Sequence, residues 1–443
     1  MFDKYPNFIY KNYEIIEDKE KIFFKFEFEI EGLSEFNHEI EILKKDFKWK
    51  NLRSNILKNI VFNLGLVEAI SYFKATCSKN FYIKCGKLDE YQEKWFRKLF
   101  FLGLGEFRYK NNIKTLEEDF VKFYSLGESI EFELEENKLD GILIPIGGGK
   151  DSCVTLELLK DKFLNIDLFR VGVNDVSIEC VKAAGFSRDK IVEVSRKIDK
   201  KLFDLNNQGF LNGHTPFSAM IAFLSYAVSF MLGKKYITLS NENSANESNV
   251  EGENINHQYS KTFEFENDFR EYAKKYLKEN IEYFSFLRPI SELQIAMIFS
   301  RFPKYHKVFK SCNVGSKQTP WVWCGNCPKC LFVYIILSAF LNEKELISIF
   351  GKNLYENKEL LNTFIELAGF GEIKPFECVG TYSEVRFCIN KNIEKKNQED
   401  LPFLLKFYKE NYKLEKTDNN ILKSFSENNN LPDKFKIILE ENI

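Results

Sequence analysis

Three consecutive glycines, followed by a lysine, an aspartate and a serine, form the stretch whose residue types point most directly to chemistry. In GILIPIGGGKDSCVTLELL, the apolar run at residues 142–146 leads into Gly147, Gly148 and Gly149, and apolar residues at helical spacing follow. Glycine N–H groups can curl around an anion, and the N-terminus of the helix adds unpaired donors and its dipole. The order strand, glycine turn, helix therefore predicts a phosphate-binding loop, although its spacing is neither GxxxxGKS/T nor GxGxxG.

Four of the ten cysteines lie close together, in the pattern C-x11-C-x2-C-x2-C: Cys312, Cys324, Cys327 and Cys330. The segment WCGNCPKC supplies a tight turn in which closely spaced thiolates can converge. Four thiolates suit tetrahedral Zn²⁺, and such a closed site is structural. An iron–sulfur cluster is the main alternative, because C-x2-C-x2-C spacing also occurs among cluster ligands.

The composition limits the classes of partner. The 443 residues carry 63 Lys and Arg against 65 Asp and Glu, a formal charge of −2, which disfavours a protein that binds nucleic acid through phosphate contacts. Residues 1–24 have neither a basic segment nor an apolar core of the signal-peptide type, so we expect a cytoplasmic protein. The uncharged stretch at 216–233 is interrupted by three serines and predicts a buried helix instead of a membrane span.

The elements that must position these residues follow from hydrophobic periodicity. Strict alternation at residues 24–31 predicts a strand, with a hairpin partner at 39–43. Residues 52–110 show helical spacing, interrupted by the strand-like FYIKC at 81–85. We therefore predict an N-terminal α+β domain over residues 1–130.

Between residues 140 and 240, short apolar runs alternate with helical stretches, which is typical of an α/β fold with a doubly wound parallel sheet. We assign this domain to residues 131–345, including the cysteines, and a mainly helical region to 346–443. Ligands of such sheets bind at the carboxyl ends of the strands. Polar residues that follow two predicted strands, Asn174 and Asp175 after one and Asn241 after the other, are therefore candidate ligand contacts.

The glycine loop resembles the SGGxDS loop of the PP-loop ATP pyrophosphatase superfamily. The match lies at Gly148, Gly149, Asp151 and Ser152, and Gly147 stands where that superfamily usually has serine. The resemblance implies a sheet of the HUP type that binds ATP and cuts it between the α and β phosphates. It also implies that the loop from Gly147 to Ser152 holds pyrophosphate, that Asp151 helps to hold Mg²⁺, and that Lys150 offsets phosphate charge.

A wider resemblance covers roughly residues 50–390. It is carried by seven segments in order: NLGLVEAISYFKATCS (63–78), KWFRKLFFLGLGEF (94–107), IGGGKDS (146–152), NHQYSKTFEFENDFREY (256–272), LRPISELQIA (287–296), WCGNCPKC (323–330) and KPFECVGT (374–381). Together they resemble the UDP-N-acetylmuramoyl-L-alanyl-L-glutamate epimerases of the MurL type. This implies an enzyme that uses ATP and Mg²⁺ to adenylate the glutamate carboxylate, inverts the α-carbon and releases AMP and pyrophosphate in peptidoglycan precursor synthesis.

Inversion usually requires a base on each face of the α-carbon. Cys378 and His257 are the preferred candidates, Cys77 and Glu377 are further ones, and the sequence does not assign a residue to either face. The anionic substrate calls for Lys or Arg. Such residues in or beside the family-like segments are Lys74, Arg97, Arg108, Lys261, Arg270 and Arg288, of which Lys74 and Arg288 are the preferred candidates.

Two other functions remain open from the sequence. The first is an adenylating enzyme of nucleobase or tRNA modification, similar to 7-cyano-7-deazaguanine synthase, which also has a four-cysteine site. The neutral charge and the long N-terminal domain weigh against it. The second is a non-catalytic nucleotide-binding protein, against which the presence of Asp151 and Ser152 weighs. The oligomeric state, the residues that bind the UDP moiety and the role of the last 50 residues stay unassigned.

Overall fold

One ten-stranded sheet runs through the protein. The computed structural model describes residues 4–131, 138–172, 175–246, 256–257, 259–277, 280–372, 374–395, 400–414 and 419–443. The strands are β1 Asn7–Glu17, β2 Lys21–Ile30, β3 Ser34–Leu43, β4 Asn80–Ile83, β5 Lys122–Ser125, β6 Ile142–Pro145, β7 Ile166–Val171, β8 Ile191–Lys197, β9 Tyr236–Leu239 and β10 Glu282–Ser285.

Sixteen α-helices lie in the described part of the chain. They are α1 Asn55–Phe73, α2 Glu90–Gly103, α3 Gly105–Lys110, α4 Glu117–Phe120, α5 Lys150–Leu159, α6 Asp175–Ala184, α7 Lys200–Asn207, α8 Phe217–Leu232, α9 Phe263–Tyr276, α10 Glu292–Ser300, α11 Pro328–Ser338, α12 Glu343–Phe350, α13 Leu361–Leu367, α14 Tyr382–Lys395, α15 Phe403–Asn411 and α16 Asp433–Glu440.

The strand order is β10-β9-β6-β7-β8-β3-β2-β1-β4-β5. The first five strands in this order are parallel, as predicted for an α/β protein. At the edge of that parallel block, β8 pairs antiparallel with β3, and the meander β3-β2-β1 leads on to the short parallel strands β4 and β5. The predicted domain boundary at residues 130/131 therefore falls between segments that share one continuous sheet.

Alternation in the sequence explains how the sheet separates two cores. Within β6, Leu143 belongs to one buried cluster, and its neighbours Ile142 and Ile144 belong to the other. Successive side chains of a strand point to opposite faces, so helices cover both sides of the sheet. Helices α1, α8 and α9 lie on one side, and α5, α6, α10, α11 and the C-terminal helices lie on the other.

The long apolar helices are core elements. The predicted buried helix at 216–233 is confirmed as α8, whose apolar side chains are almost all buried, and Gly233 ends it in the left-handed conformation at φ +68°. Within the described ranges, α1 is the one helix long and apolar enough to cross a membrane, and 94% of its apolar window is buried inside the protein. Helices α1 and α8 pack against each other beneath the sheet.

Candidate active site

The glycine loop connects β6 to α5 in a geometry that requires glycine. Gly148 has φ +88°, and a Cβ there would lie 2.7 Å from Val176 Cγ1 and 3.0 Å from the Ser177 nitrogen. Ser152 Oγ accepts a hydrogen bond from the Gly148 N–H at 3.2 Å and donates to the Gly149 carbonyl at 3.0 Å. By contrast, a Cβ on Gly147 would meet no atom within 4 Å, so open space remains beside the loop at the start of α5.

A buried lysine joins this loop to the neighbouring helix. Lys150 is 2% exposed, and its ammonium group contacts the carboxylates of Asp151 and Glu292. Burial opposes ionisation of Asp151, but attraction to Lys150 and then to Lys329 lowers the pKa of this carboxyl group overall. For Glu292, burial dominates over the attraction of Lys150 and raises its pKa. The loop therefore presents one firmly ionised carboxylate beside a fixed positive charge.

Cys378 lies in a cluster of positive groups. Lys261 Nζ is 3.2 Å from Cys378 Sγ, the His257 side chain hydrogen-bonds the same thiol, and Lys329 Nζ donates to the Cys378 carbonyl. Burial alone would raise the pKa of the thiol, but Lys261 and His257 outweigh it and lower the pKa to about 6. A thiolate that is partly accessible at neutral pH is suited to act as a base or nucleophile.

His257 connects Cys378 to a buried carboxylate. Its Nδ1 contacts Glu106 Oε2, and the ring centroid of His214 lies 4.3 Å from that of His257. The pKa of His257 is raised to about 9, because hydrogen bonds and attraction to Cys378 and Glu106 outweigh burial. Burial, followed by repulsion from His257, lowers the pKa of His214 to about 4. At neutral pH the pair therefore holds one charged and one neutral imidazole.

Two lysines link the cysteine cluster to the glycine loop. Both Lys261 and Lys329 act electrostatically on Cys378 and also on Asp151. The main chain at Lys261 is held by Arg288, whose guanidinium donates to the Lys261 carbonyl at 2.6 Å. The glycine loop and the thiol therefore share two cationic neighbours.

The two predicted substrate contacts, Lys74 and Arg288, differ in their surroundings. Lys74 Nζ donates to the Gly213 carbonyl at 2.6 Å, next to His214, and burial followed by repulsion from Arg196 lowers its pKa to about 8. Arg288 is fully buried and is engaged by carbonyl groups and by Glu266 Oε2 at 3.3 Å, so in this structure it braces Lys261 and is not open to an external anion.

The two further base candidates are placed less favourably than Cys378. Cys77 is buried with its Sγ 3.7 Å from the Lys74 carbonyl, and burial raises its pKa to about 12. Glu377 accepts a hydrogen bond from the Asn313 side-chain amide. Neither residue has the ring of cationic partners that surrounds Cys378 within the described part of the chain.

A cavity of about 360 Å³ opens beside the glycine loop. Asp175 lies on its wall, and Val176 lines it and packs against Gly148. Lys310, also in the wall, donates its N–H to the Gly148 carbonyl at 3.0 Å. Asn241 lies at the end of β9, where its amide donates to Ser285 Oγ at 3.0 Å, and Asn174 lies outside the described residues.

Four residues of this site were not singled out from the sequence: Glu106, His214, Glu292 and Lys329. Three of them stand inside segments that carried the resemblance, namely Glu106 in KWFRKLFFLGLGEF, Glu292 in LRPISELQIA and Lys329 in WCGNCPKC. Their place in these segments could have marked the three residues as members of the site. It could not identify their partners, because Glu106 and His257, for example, are 151 residues apart and meet only in the folded protein.

The four cysteines converge as predicted. Cys312 Sγ lies 3.8 Å from Cys327 Sγ, Cys324 Sγ lies 3.7 Å from Cys330 Sγ, and all four sulfurs lie within 4.8 Å of one another. Thiolates about 2.3 Å from a tetrahedral zinc ion stand about 3.8 Å apart. The cluster is therefore compatible with a structural zinc site at the start of α11.

Two family models match the chain in succession. Residues 1–286 match the MurL N-terminal domain, and residues 308–421 match the MurL C-terminal domain. The chain belongs to the MurL family. Its site is built from both MurL domains, since Glu106, Asp151 and His257 come from the first region and Lys329 and Cys378 from the second.

Curated MurL relatives bear the name UDP-N-acetyl-alpha-D-muramoyl-L-alanyl-L-glutamate epimerase. The protein of Xanthomonas oryzae pv. oryzae is 32% identical over 329 residues, which cover 73% of this chain and 72% of the relative. That of Micromonospora sp. is 32% identical over 343 residues, 76% of each chain. That of Salinispora tropica is 38% identical over 264 residues, 59% of this chain and 57% of the relative. No solved structure matches this MurL chain.

Proposed function

We propose that this protein inverts the terminal L-glutamate of UDP-N-acetylmuramoyl-L-alanyl-L-glutamate to the D form, using ATP, in the cytoplasmic synthesis of peptidoglycan precursors. Membership of the MurL family supports the epimerase activity. The observation that supports the ATP-dependent route is that the glycine loop and the Cys378 thiol share two lysines, so a phosphate-binding element and a base serve one site.

The glycine loop is the proposed ATP site, of the PP-loop ATP pyrophosphatase type. The space beside Gly147, the N–H groups at the start of α5 and Ser152 suit a chain of phosphates. Asp151, ionised between lysines, would hold Mg²⁺, which supplies positive charge on the phosphates when bound. The cavity beside the loop, with Asp175 in its wall, suits the adenosine.

Adenylation solves a chemical problem of the substrate. The α-proton beside a free carboxylate is very weakly acidic, because its removal would build negative charge next to an anion. Conversion of the carboxylate to a mixed anhydride with AMP neutralises that charge and makes the α-carbon acidic enough for a side-chain base. Hydrolysis of the anhydride after inversion would return the carboxylate and release AMP.

Cys378 and His257 are proposed to act as one proton-transferring pair. Because they contact each other, they serve the same face of the α-carbon and not opposite faces. Lys74 donates to the carbonyl of Gly213, next to His214, and its depressed pKa of about 8 suits a residue that contacts the substrate there. Lys261 and Lys329 would stabilise negative charge that develops on the substrate.

The cysteine cluster is proposed to hold zinc and not an iron–sulfur cluster. The sulfurs lie at the spacing of ligands that share one ion. In a cluster, the cysteines bind different iron atoms, which sets them farther apart.

Two variants separate the two halves of the reaction. Protein, ATP, Mg²⁺ and the UDP-muramoyl dipeptide are incubated in D₂O, and AMP and deuterium at the glutamate α-carbon are measured. We expect Asp151→Asn to lose both signals and Cys378→Ala to keep AMP release but lose deuterium. The matched control is Asp161→Asn at an exposed position beyond α5, which should keep both. AMP without deuterium in the unaltered protein would contradict the proposal and indicate a different adenylating reaction.

A further inference from the structure

Glu106 is a buried carboxylate outside the phosphate loop, and the proposed reaction as described so far does not use it. It lies in α3 and is 6% exposed, with one oxygen on His257 Nδ1 and the other on Lys110 Nζ. Burial opposes its ionisation, but hydrogen bonds from His257 and Lys110 lower its pKa to about 2. A permanent negative charge is therefore in contact with the imidazole.

The contact fixes how His257 faces the thiol. When one ring nitrogen bonds a carboxylate, the orientation of the ring and the role of the other nitrogen are set. His257 also hydrogen-bonds Cys378, so carboxylate, imidazole and thiol form a continuous chain. Chains of this kind, in which a third group orients the partner of a nucleophile or base, recur in enzymes with activated cysteines.

We propose that Glu106 is a positioning residue, which fixes the protonated imidazole of His257 against Cys378 and thereby keeps the thiol ionised before the substrate arrives. The proposal rests on the proposed function in one respect, the use of Cys378 as a base. In the proton-transfer step, the thiolate takes the α-proton, an S–H bond forms, and the electron pair of the broken C–H bond moves into the activated carboxyl group. His257 remains protonated, and inversion is completed when a different group delivers a proton to the opposite face of the α-carbon.

The other charged groups around the pair are consistent with this role. Lys110 from α3 faces Glu106, and Lys261 and Lys329 face Cys378. The His214 ring lies against that of His257 at a tilt of 47°, and Lys74 acts electrostatically on His214. Of these groups, Glu106 is the one carboxylate within the described residues that contacts the His257 ring, so it is the group expected to offset the nearby lysines.

The test follows the thiol itself. The full-length protein is alkylated with iodoacetamide across the pH range, and modification of the Cys378 peptide is quantified by mass spectrometry. In the unaltered protein we expect a midpoint near pH 6. Glu106→Gln should raise the midpoint by about one unit, which slows alkylation at pH 5 about ten-fold. The exposed control, Glu118→Gln, should leave the midpoint unchanged.

A second variant guards against misfolding. Glu106→Asp keeps the charge but shortens its reach, and we expect a midpoint between those of the unaltered protein and the Gln variant. An unaltered midpoint in both variants, at unchanged thermal stability, would overturn the positioning role. Alkylation requires neither ATP nor dipeptide. If Glu106→Gln shifts the midpoint but the unaltered protein exchanges no deuterium, the positioning role of Glu106 is supported and the use of Cys378 as the base is rejected.

Discussion

At the scale of single residues, the surroundings decide what a cysteine can do. Cys378 and Cys77 both stand in segments that carried the family resemblance, but Cys378 lies among cations, whereas Cys77 is buried with its Sγ near the Lys74 carbonyl. The pKa of Cys378 is lowered to about 6, and that of Cys77 is raised to about 12 by burial. Only the first thiol is ionised near neutral pH.

The first prediction compares these two cysteines. Cys378→Ser should reduce deuterium incorporation by at least about 100-fold, the scale of a lost general base. Cys77→Ala should leave incorporation within about two-fold, because its thiol is protonated and turned toward a backbone carbonyl. The measurement is deuterium at the glutamate α-carbon, started separately from the L- and the D-glutamyl substrate. Equal loss in both variants would instead place Cys77 in the mechanism.

The second prediction concerns pH. The thiolate of Cys378 is present above its pKa of about 6, and the imidazolium of His257 is present below its pKa of about 9. The ion pair therefore exists between these limits and is lost by protonation of sulfur below and by deprotonation of the ring above. We expect a bell-shaped profile for the α-proton exchange rate, measured at saturating ATP. A rate that rises steadily through pH 9 would argue against a protonated His257.

The sequence located half of this site. The glycine loop was predictable because its function resides in consecutive residues, and Cys378 and His257 came from the resemblance. Glu106 and His214 were not predictable as partners of His257, since contacts between distant segments leave no spacing in the sequence. Arg288 was expected to bind an anion, but its guanidinium group donates hydrogen bonds to the carbonyls of Glu242 and Lys261 instead.

At the scale of elements, the start of α11 ties the cysteine cluster to the active site. Cys327 caps the helix by accepting from the Cys330 N–H at 3.4 Å, and Lys329 between them reaches the Cys378 carbonyl. A metal ion held by these sulfurs would fix the helix end and hence the lysine. The proposed zinc site would in this way hold a positive charge beside the Cys378 thiol.

The third prediction follows from that link. Cys324→Ser should lower bound zinc from one ion per chain and should slow deuterium exchange more than ten-fold, because Lys329 loses its support. Zinc is measured by elemental mass spectrometry of the purified protein. Cys85→Ser, a cysteine at the end of β4 away from the cluster, is the control and should keep metal and activity. Iron with a visible absorption band in the unaltered protein would exclude zinc.

The fourth prediction concerns the junction of α1 with the sheet. Glu68 in α1 is fully buried between Arg196 of β8, at 2.5 Å, and His38 of β3, at 3.3 Å. Glu68→Gln leaves Arg196 without its carboxylate and should lower the free energy of unfolding by about 3–5 kcal/mol. The exposed pair of Lys11 and Glu35 provides the control, and Glu35→Gln should cost less than about 1 kcal/mol in urea denaturation.

The same carboxylate predicts a pH effect on stability. Despite burial, Arg196 and His38 lower the pKa of Glu68 to about 2 in the folded protein, against 4.5 for the ordinary group. Its stabilising contribution is complete above pH 4.5 and is lost as the pH falls toward 2. The difference in stability between the unaltered protein and Glu68→Gln should therefore shrink across that interval. A constant difference would mean that Glu68 is not ionised in the fold.

Elements were predictable where periodicity was strong. The alternation at 24–31 is confirmed as part of β2, and its predicted hairpin partner lies in β3. The helix predicted after the glycine loop is α5, which begins at Lys150 with Gly149 as its N-cap. Strand β1 was missed because its buried residues do not alternate strictly. The four-residue strands β5 and β10 were also missed, since so short a run gives no period and is defined by its neighbours in the sheet.

At the scale of the whole molecule, one continuous sheet runs across the predicted domain boundary at residue 130. The pairing of β3 with β8 joins residues about 158 positions apart, such as Glu39 and Lys197. Each strand was predictable locally, but nothing in either strand specified the other as its partner. The division at residue 130 consequently cuts through a shared sheet and through a core in which α1 packs on α8.

This architecture predicts that the protein unfolds as one unit. The four tryptophans report on both parts: Trp49 and Trp95 precede residue 130, and Trp321 and Trp323 lie beside the cysteine cluster. Trp95 packs against Phe223 of α8 and Tyr272 of α9, so the core around it is completed by residues beyond the predicted boundary. Removal of either part would expose the edge of β3 or β8 and an apolar helix face.

We therefore expect coincident unfolding midpoints from the two pairs of reporters. One double variant, Trp321→Phe with Trp323→Phe, leaves the early pair, and Trp49→Phe with Trp95→Phe leaves the late pair. Urea titrations followed by fluorescence should give the same midpoint as far-ultraviolet circular dichroism on each variant, because coincidence of probes is the mark of a cooperative transition. Different midpoints from fluorescence and circular dichroism on the same variant would support separate domains divided at residue 130. In that case the β3–β8 pairing would be a contact between domains that are stable separately, and the contact between Glu106 and His257 would span their interface.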